Sequence, residues 1–338
     1  MTTQSPKEIW NLPAAGTPYI IRHQEQHATI TMGQAIRILA GEEQTGGRFT
    51  ICAAVGPQGA PVPQHWHESE HDTFVCVRGA LQMWADDQSR VLSPGGFANV
   101  PPGVRHSYRF AAPHTEMVGL ISTGGFEAFF AQTGWVFDGG GYPVEDDHPT
   151  DKKTFAEAGA KHDVHFVTDP VYVEPTSTDA DTALPGNSTA YFLRPGQGPR
   201  FAWRGATLTA LCTGCETEGR FGMAMIEGAR GAALPRLSHA DDDLLLYVVD
   251  GQVTVDFGGG DQHLHAGDSV CLPAGSRYTL SFTGGDDRIL AFATGDVLHR
   301  LFAGAGKPWA AEIYPEAPLA SDDARERAAV ADLATTLG

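Results

Sequence analysis

Three histidines and one carboxylate occur at spacings that could hold a metal ion. The segment HWHESEHDTFVCVRG contains His65, His67 and Asp72, and the later segment PGGFANVPPGVRH ends on His106. Imidazole nitrogens and carboxylate oxygens are ordinary ligands of divalent transition metals. The sequence therefore predicts a metal site formed by these four side chains.

The spacing also indicates how strands would bring these side chains together. Side chains alternate between the faces of an extended strand, so His65 and His67 project to one side and Trp66 to the other. The run DTFVCV predicts a second strand that begins at Asp72. A turn rich in glycine and proline then returns the chain to His106. Two hairpins can therefore direct four ligands at one ion.

The carboxylate ligand has two neighbours that could replace it, Glu70 and His71. Alternation through Phe74 and Cys76 favours Asp72 as the inward residue and turns His71 outward. Three neutral imidazoles and one carboxylate leave open positions on the ion, as catalytic sites require. Nitrogen and oxygen donors without thiolate suit one divalent transition metal, Mn, Fe, Co, Ni or Cu, without choosing among them.

The chain contains an internal duplication. Twelve residues between Tyr19 and Gly103 recur at a constant offset between Tyr191 and Gly275 (191 − 19 = 172; 275 − 103 = 172). A fixed offset over such a span indicates two copies of one structural unit. At the ligand positions, the second copy has Leu237, His239, Leu244 and Tyr278. One ligand of four survives, so the second copy is predicted to hold no metal.

Both copies consist of short β-branched and aromatic runs separated by glycine, proline and aspartate. This pattern predicts an all-β chain of antiparallel barrels or sandwiches. Helices are predicted only at FEAFFAQ and in the C-terminal DDARERAAVADLATTL. The predicted organisation is an N-terminal metal-binding domain over 1–137, a loop-rich connection over 138–187 and a C-terminal domain with a degenerate site and a terminal helix over 188–338.

Composition limits the partners. The net charge is −18, from 41 acidic and 23 basic residues, and such a field repels nucleic acid and anionic lipid. The sequence has no apolar stretch near membrane-spanning length and no secretory signal pattern, so we expect a cytoplasmic protein. Five cysteines do not indicate a disulfide framework, and Cys212 and Cys215 lack the further ligands of a zinc site.

Beyond these residue-level inferences, H-W-H-x4-D-x6-G and G-x5-P-x4-H resemble the two cupin motifs, and the duplication implies a bicupin. The segments PYIIRH, EQTGGRF, HDTFVCVRG and VPPGVRHSYRF resemble, more narrowly, the quercetin 2,3-dioxygenases, also called flavonol 2,4-dioxygenases. The resemblance implies two tandem double-stranded β-helix, or jelly-roll, barrels. Asp72 stands where that family has glutamate, and its side chain is one methylene shorter.

The resemblance implies a metal-dependent dioxygenase that cleaves the heterocyclic ring of a flavonol such as quercetin with O2 and releases carbon monoxide. Asp72 would accept the proton of the substrate's 3-hydroxyl group. Phe74 and Tyr108 are each two residues from a ligand, so alternation predicts that both face the substrate pocket. The resemblance also admits a homodimer, without fixing an interface.

Two other classes of function fit the same residues. One is a cupin that binds a metal without redox chemistry, an isomerase, dehydratase or cyclase acting on a phenolic or polyketide-like substrate. The other is a cupin-fold binding or sensory module without turnover. A full ligand set in one copy only argues against the module, because packing alone would not need these four polar side chains.

Overall fold

A computed structural model describes residues 6–23, 25–143, 146, 148–315, 319–320 and 322–337. The chain divides into two compact units. Unit 1 comprises Met1–Ala15 and Gln24–Pro195, and unit 2 comprises Gly16–His23 and Gly196–Gly338. Both units are built mainly from antiparallel strands, so the predicted all-β class is confirmed.

The first part of the chain alternates short strands with four α-helices. In chain order its elements are α1 Pro6–Trp10, β1 Tyr19–Ile21, β2 Ala28–Thr31, β3 Gln34–Ala40, α2 Glu42–Thr45, β4 Thr50–Gly56, β5 His65–Trp66, β6 His71–Arg78, β7 Leu81–Ala85, β8 Gln88–Leu92, β9 Phe97–Val100, β10 His106–Phe110, β11 Thr115–Ser122, α3 Glu127–Thr133, β12 Trp135–Phe137, α4 Lys152–Lys161, β13 His165–Phe166, a 3-10 helix at Asp179–Thr182, and β14 Tyr191–Leu193.

The second part of the chain repeats this pattern. Its elements are β15 Arg200–Trp203, β16 Ala206–Cys212, β17 Gly222–Gly228, β18 Ala233–His239, β19 Leu244–Asp250, β20 Gln252–Asp256, β21 Gln262–His265, β22 Ser269–Leu272, β23 Tyr278–Phe282, β24 Asp287–Ala293, α5 Val297–Ala305, β25 Lys307–Pro308, α6 Asp323–Ala331 and β26 Thr335–Leu337.

Each unit consists of an eight-stranded and a five-stranded sheet. In unit 1 the orders are β12-β2-β3-β4-β11-β6-β9-β14 and β13-β5-β10-β7-β8. In unit 2 they are β1-β22-β19-β24-β17-β16-β15-β25 and β21-β20-β23-β18-β26. Apolar side chains of the strands are buried, for example Val75 and Phe97 in unit 1 and Val270 and Phe292 in unit 2. These sheets form the two barrel cores.

The turn between β6 and β7 requires glycine. Gly79 has φ +76°, a left-handed conformation that other residues rarely adopt. A Cβ atom at Gly79 would also lie 2.3 Å from the main-chain oxygen of His114. Gly251, at the same place in the second copy, has φ +78°. The two glycines therefore fix the hairpins that follow β6 and β19.

The repeat continues through the region between the two copies. Helix α4 begins after the N-cap residue Asp151 and helix α6 after Asp322, whose side chains both accept hydrogen bonds from the first turn. Their offset is nearly that of the barrels (322 − 151 = 171). Strand β13 then pairs with β5 as β26 pairs with β18. Part of the predicted loop-rich connection is therefore ordered structure that completes unit 1, and the C-terminal helix is its counterpart in unit 2.

The edge strands of the two units are exchanged. Strand β1, near the start of the chain, pairs with β22 in unit 2, whereas β14 pairs with β9 in unit 1. The two strands occupy equivalent places in the repeat, because Tyr19 and Tyr191 differ by the same 172 positions. The boundaries of the compact units therefore differ from those of the predicted domains, which are 1–137 and 188–338. The assignment of a metal-binding role to one domain and a degenerate site to the other stays a prediction.

Helices were underpredicted. The two that the sequence predicts are present as α3 and α6. Four further helices, α1, α2, α4 and α5, lie in the described chain; α1 and α2 have only five and four residues, too few to give a periodic signal. The described helices include none with both the length and the apolar character needed to cross a membrane. All five cysteines are free thiols.

Candidate metal centre

The structure brings the four predicted residues together between the two sheets of unit 1. His65 in β5 and His106 in β10 are directly opposite each other in the five-stranded sheet. His67 follows β5, and Asp72 lies in β6 of the eight-stranded sheet. One ring nitrogen from each histidine and one oxygen of Asp72 all lie within 4.8 Å of one another. The four donors can therefore hold a single metal ion.

Each histidine is oriented by a main-chain carbonyl. The Nδ1 atom of His65 lies 2.8 Å from the oxygen of Pro63, and that of His106 lies 3.0 Å from the oxygen of Val104. The Nδ1 atom of His67 lies 2.8 Å from the oxygen of Asp163. A carbonyl only accepts hydrogen bonds, so each Nδ1 carries the hydrogen and donates it. Each Nε2, once it carries no proton, can then offer its lone pair to a metal at the centre, the usual arrangement of metal-binding histidines.

Two buried polar atoms in this group lack hydrogen-bond partners, the Nε2 of His67 and the Oδ1 of Asp72. The Nε2 atoms of His67 and His106 lie 3.3 Å and 3.0 Å from the Oδ2 of Asp72. Buried polar atoms without partners are costly and rare, and a ligand commonly explains them. A cation among these donors would bind the Nε2 of His67 and neutralise the buried Asp72 carboxylate, so the residues fit a divalent metal ion.

The electrostatics favour a carboxylate beside imidazoles. Burial raises the pKa of Asp72, whereas the neighbouring rings of His67 and His106 lower it. The lowering is the larger effect, so the pKa of Asp72 lies well below its ordinary value. Burial lowers the pKa of His67, but the Asp72 carboxylate raises it to about 9. Burial and the two other rings lower the pKa of His65 far below its ordinary value. Asp72 is therefore anionic, and without a metal the cluster retains a proton.

The two alternatives for the carboxylate ligand lie elsewhere. The Nε2 of His71 is 2.9 Å from the Oδ1 of Asn99, on the other face of β6 from Asp72. Burial and a hydrogen bond to Asp163 raise the pKa of Glu70 to about 8. Glu70 lies near His67 and Asp163 in a neighbouring group of possible ligands, and Asp72 is not part of that group.

An apolar cavity of about 70 Å³ adjoins the four residues. His65 and Asp72 form part of its wall, and so do Phe74 and Tyr108, the two predicted pocket residues. The hydroxyl of Tyr108 donates a hydrogen bond of 2.9 Å to the Oε1 of Gln34. The remaining wall is mostly hydrophobic and consists of Met32, Cys52, Val62, Pro63, Thr73, Met117, Gly119, Ile121, Phe126, Phe129, Phe130, Phe155, Val164 and Phe166.

Comparison with known proteins agrees with this architecture. A cupin domain model matches residues 53–120 and again residues 224–292, one match in each copy. This chain is a bicupin. It is 24% identical over 310 residues to a quercetin 2,3-dioxygenase from Bacillus subtilis (strain 168), which covers 92% of both chains. The resemblance to that family is therefore confirmed over nearly the whole bicupin.

Two further relatives cover less of the bicupin or share only its fold. A quercetin 2,3-dioxygenase from Aspergillus japonicus is 34% identical over 125 residues, which are 35% of this chain and 36% of the relative. The solved structure of an oxalate decarboxylase from Lactobacillus farciminis, in complex with formate, matches with a TM-score of 0.54. That match covers 82% of this chain and 86% of the other at 15% identity, so it shows the common fold.

In the second cupin, His239 is the one histidine that remains at a ligand position, and both of its ring nitrogens form hydrogen bonds with other side chains. The Nδ1 of His239 is 2.8 Å from the Oγ1 of Thr335, and its Nε2 is 3.0 Å from the hydroxyl of Tyr278. Burial lowers the pKa of His239 to about 4, so its ring is neutral. Leu237 and Leu244 are buried apolar residues. In the second cupin, the place of the metal site is therefore taken by His239 hydrogen-bonded to two hydroxyl groups.

Sequence reasoning missed the contribution of the segment after residue 137. Phe155 in α4 and Phe166 in β13 line the cavity, and Asp163 between them holds His67. The sequence carries only a weak sign of this contribution. The N-cap residues Asp151 and Asp322 are related by nearly the repeat offset, but few residues around them are identical in the two copies. A search for the repeat beyond Gly103 would have included this segment in the first copy.

Proposed function

We propose that this bicupin is a metal-dependent dioxygenase that opens the heterocyclic ring of a flavonol such as quercetin and releases carbon monoxide. The observation that carries the proposal is the four-residue donor set in the wall of an aromatic-lined cavity. The two related quercetin 2,3-dioxygenases support the choice of reaction. His65, His67, Asp72 and His106 are the proposed ligands. A bound divalent transition metal would supply Lewis acidity and a site for redox chemistry with O2.

The protein's own groups would prepare the substrate. Aromatic walls such as Phe74 and Phe126 suit a flat polyphenol and exclude water from it. The Oδ1 of Asp72 is buried, has no hydrogen-bond partner and belongs to a cavity-lining residue. We propose that this oxygen accepts the proton of the flavonol 3-hydroxyl group, as a general base.

The walls of the cavity disfavour a small dicarboxylate, although an oxalate decarboxylase shares the fold. Among the described residues that line the cavity there is no lysine or arginine, and Asp72 is already anionic. Even beside a bound metal ion, the second carboxylate of a dianion would enter this apolar space without a cationic side chain to pair with, which is costly. The free-energy cost of transferring a neutral or singly ionised phenol into the same space is much lower.

The cavity needs to enlarge for a flavonol. Pockets for drug-sized ligands measure about 300–1,000 Å³, and this cavity measures about 70 Å³. A second cavity of about 690 Å³ lies on the other side of a wall shared by Met32, Val62, Pro63, Phe155 and Phe166. The rings of Phe155 and Phe166 are stacked at 5.2 Å in that wall. We propose that the substrate occupies space on both sides of it.

Replacement of Phe155 by alanine should widen substrate selection. Removing one ring from the wall makes room for substituents, and a hydrophobic wall discriminates by about 1–3 kcal/mol per methylene. We expect kcat/KM for a bulky ring-substituted flavonol, relative to unsubstituted 3-hydroxyflavone, to rise roughly tenfold. Phe137→Ala is the matched control, because Phe137 is partly buried against another cluster. An unchanged ratio in Phe155→Ala would remove Phe155 from the specificity wall.

The reaction is tested with two substrates that differ by one oxygen. Metal-loaded protein should consume O2 with 3-hydroxyflavone and release carbon monoxide, both measured directly. Flavone, which lacks the 3-hydroxyl, has no proton for Asp72 to take and should be inert. The assay is repeated with Mn, Fe, Co, Ni and Cu, since the donor set suits them all.

Each outcome of that assay has one reading. Oxygen uptake with equal yields of carbon monoxide and cleaved product supports the dioxygenase. Binding of 3-hydroxyflavone without oxygen uptake, for every metal, would contradict it and would favour a non-redox cupin reaction. Equal turnover of flavone would contradict the assigned role of Asp72.

A further inference from the structure

The residue that holds His67 belongs to a polar turn outside the four-ligand set. Asp163 lies between α4 and β13 and has φ +53°, the left-handed conformation. Its main-chain oxygen accepts the Nδ1 hydrogen of His67 at 2.8 Å. Its carboxylate accepts the main-chain hydrogens of Glu68 at 3.0 Å and of Ser69 at 2.8 Å. One residue therefore fixes both the ligand ring and the loop that follows it.

The second copy shows what the same turn does without a carboxylate. Ala334 is at the equivalent place and has φ +47° (334 − 163 = 171). Its main-chain oxygen accepts the hydrogen of Ala240 at 3.0 Å, and Ala240 is the equivalent of Glu68 (240 − 68 = 172). His239 then bonds to the hydroxyl of Thr335. The left-handed turn thus forms with alanine, so the fold of the turn does not require the carboxylate.

The two copies use the carbonyl of this turn differently. In unit 2 it serves the main-chain hydrogen of Ala240. In unit 1 the Asp163 carboxylate takes the hydrogen of Glu68 instead, and the carbonyl is available to His67. The position carries a carboxylate in the copy with four metal-ligand candidates and carries alanine in the copy that retains one of them. Because the turn forms in both copies, the difference between aspartate and alanine is better explained by the metal-ligand candidates than by the turn.

We propose that Asp163 is a positioning residue for the metal site, whose carboxylate binds the loop after His67 and thereby leaves the main-chain carbonyl of Asp163 to orient His67. This inference rests on the metal site of the proposed function but not on the flavonol reaction. Hydrogen bonds to the second nitrogen of a metal-binding histidine fix its tautomer and ring orientation, and their loss typically costs 10- to 100-fold in metal affinity.

The test is the Co(II) affinity of the full chain, measured without substrate by competition with a chelator. In Asp163→Ala the carbonyl is expected to move to the hydrogen of Glu68, as in the second copy, and His67 loses its acceptor. The dissociation constant for Co(II) should rise roughly 10- to 100-fold, and the visible Co(II) spectrum should change because one ligand is displaced. Asp163→Asn keeps an acceptor for Glu68 and tolerates the left-handed conformation, so it should recover most of the affinity.

Asp151→Ala is the matched control. Asp151 is an aspartate twelve positions earlier whose carboxylate also accepts two main-chain hydrogens, from Lys153 and Thr154, but it caps α4 away from the site. Its loss should lower the melting temperature and leave Co(II) binding and the spectrum unchanged. A thermal melt of each metal-free variant separates stability from affinity.

Four results distinguish the role of Asp163 from the proposed reaction. Weaker Co(II) binding with a changed spectrum in Asp163→Ala, and recovery in Asp163→Asn, would support it. Wild-type affinity and spectrum in Asp163→Ala, with only a lower melting temperature, would overturn it and leave Asp163 as a structural residue. Wild-type protein that binds Co(II) but cleaves no flavonol overturns the proposed reaction alone, whereas wild-type protein that binds no Co(II) overturns both.

Discussion

Alanine in place of His67 is expected to abolish metal binding and turnover together. The ring supplies one of four donors, and its buried Nε2 faces another member of the cluster, the Oδ2 of Asp72 at 3.3 Å. Three remaining donors would hold a divalent ion more weakly. Wild-type protein should retain about one equivalent of metal per chain after loading and desalting, as one four-donor site predicts. His67→Ala should retain almost none by elemental analysis.

His239→Ala is the control that the duplication provides. His239 is the equivalent residue of the second copy, but its two nitrogens bond to Thr335 and Tyr278. Removing it leaves a buried hydroxyl without its partner and should lower the melting temperature, with metal content and turnover unchanged. A wild-type content of two metals per chain, one of them lost in His239→Ala, would contradict the assignment of a single site to unit 1.

The ligand cluster could be predicted because local spacing and strand geometry determine most of it. His65 and His106 are 41 positions apart (106 − 65 = 41), in β5 and β10, yet they lie directly opposite each other although four strands separate them in the chain. Alternation also separates Asp72 from His71, and the structure places His71 against Asn99. The roles of these residues remain a prediction, whereas their convergence is a property of the fold.

The contribution of α4 and β13 could not be predicted in the same way. Lys152–Lys161 has a partly polar sequence, and only the tertiary contact of β13 with β5 shows that this segment closes the barrel. The left-handed turn at Asp163 is equally hidden, because aspartate is common in ordinary loops. Its meaning depends on the carbonyl that it presents to His67 across 96 positions of the chain. Such a contact is set by packing and has no local pattern.

The exchange of β1 and β14 was likewise beyond local reasoning. Both segments read as short apolar strands, YII and YFL, and either could close its own repeat. The structure gives β1 to β22 and β14 to β9. Residue composition predicts that both segments form strands. Which of two similar sheet edges each strand pairs with depends on contacts that are distant in sequence.

Asp72→Asn should separate binding of the metal from transfer of a proton. Asparagine has nearly the same shape as aspartate and keeps an oxygen near the three histidines, so much of the metal should remain. It cannot accept the proton of a flavonol 3-hydroxyl, and a positioned general base contributes roughly 10²- to 10⁴-fold. We expect kcat to fall by that factor while metal content, measured on the same sample, falls far less.

Asp181→Asn is the matched control for this change. Asp181 is also a buried aspartate of unit 1, but its carboxylate pairs with the guanidinium of Arg90 at 2.8 Å and lies outside the cavity wall. Its replacement should lower stability through the weakened ion pair and leave kcat unchanged. Unchanged turnover in Asp72→Asn would transfer the role of base to Glu70 or His71. A parallel loss of metal and turnover would instead make Asp72 a ligand alone, because proton transfer would then add nothing to the effect of an empty site.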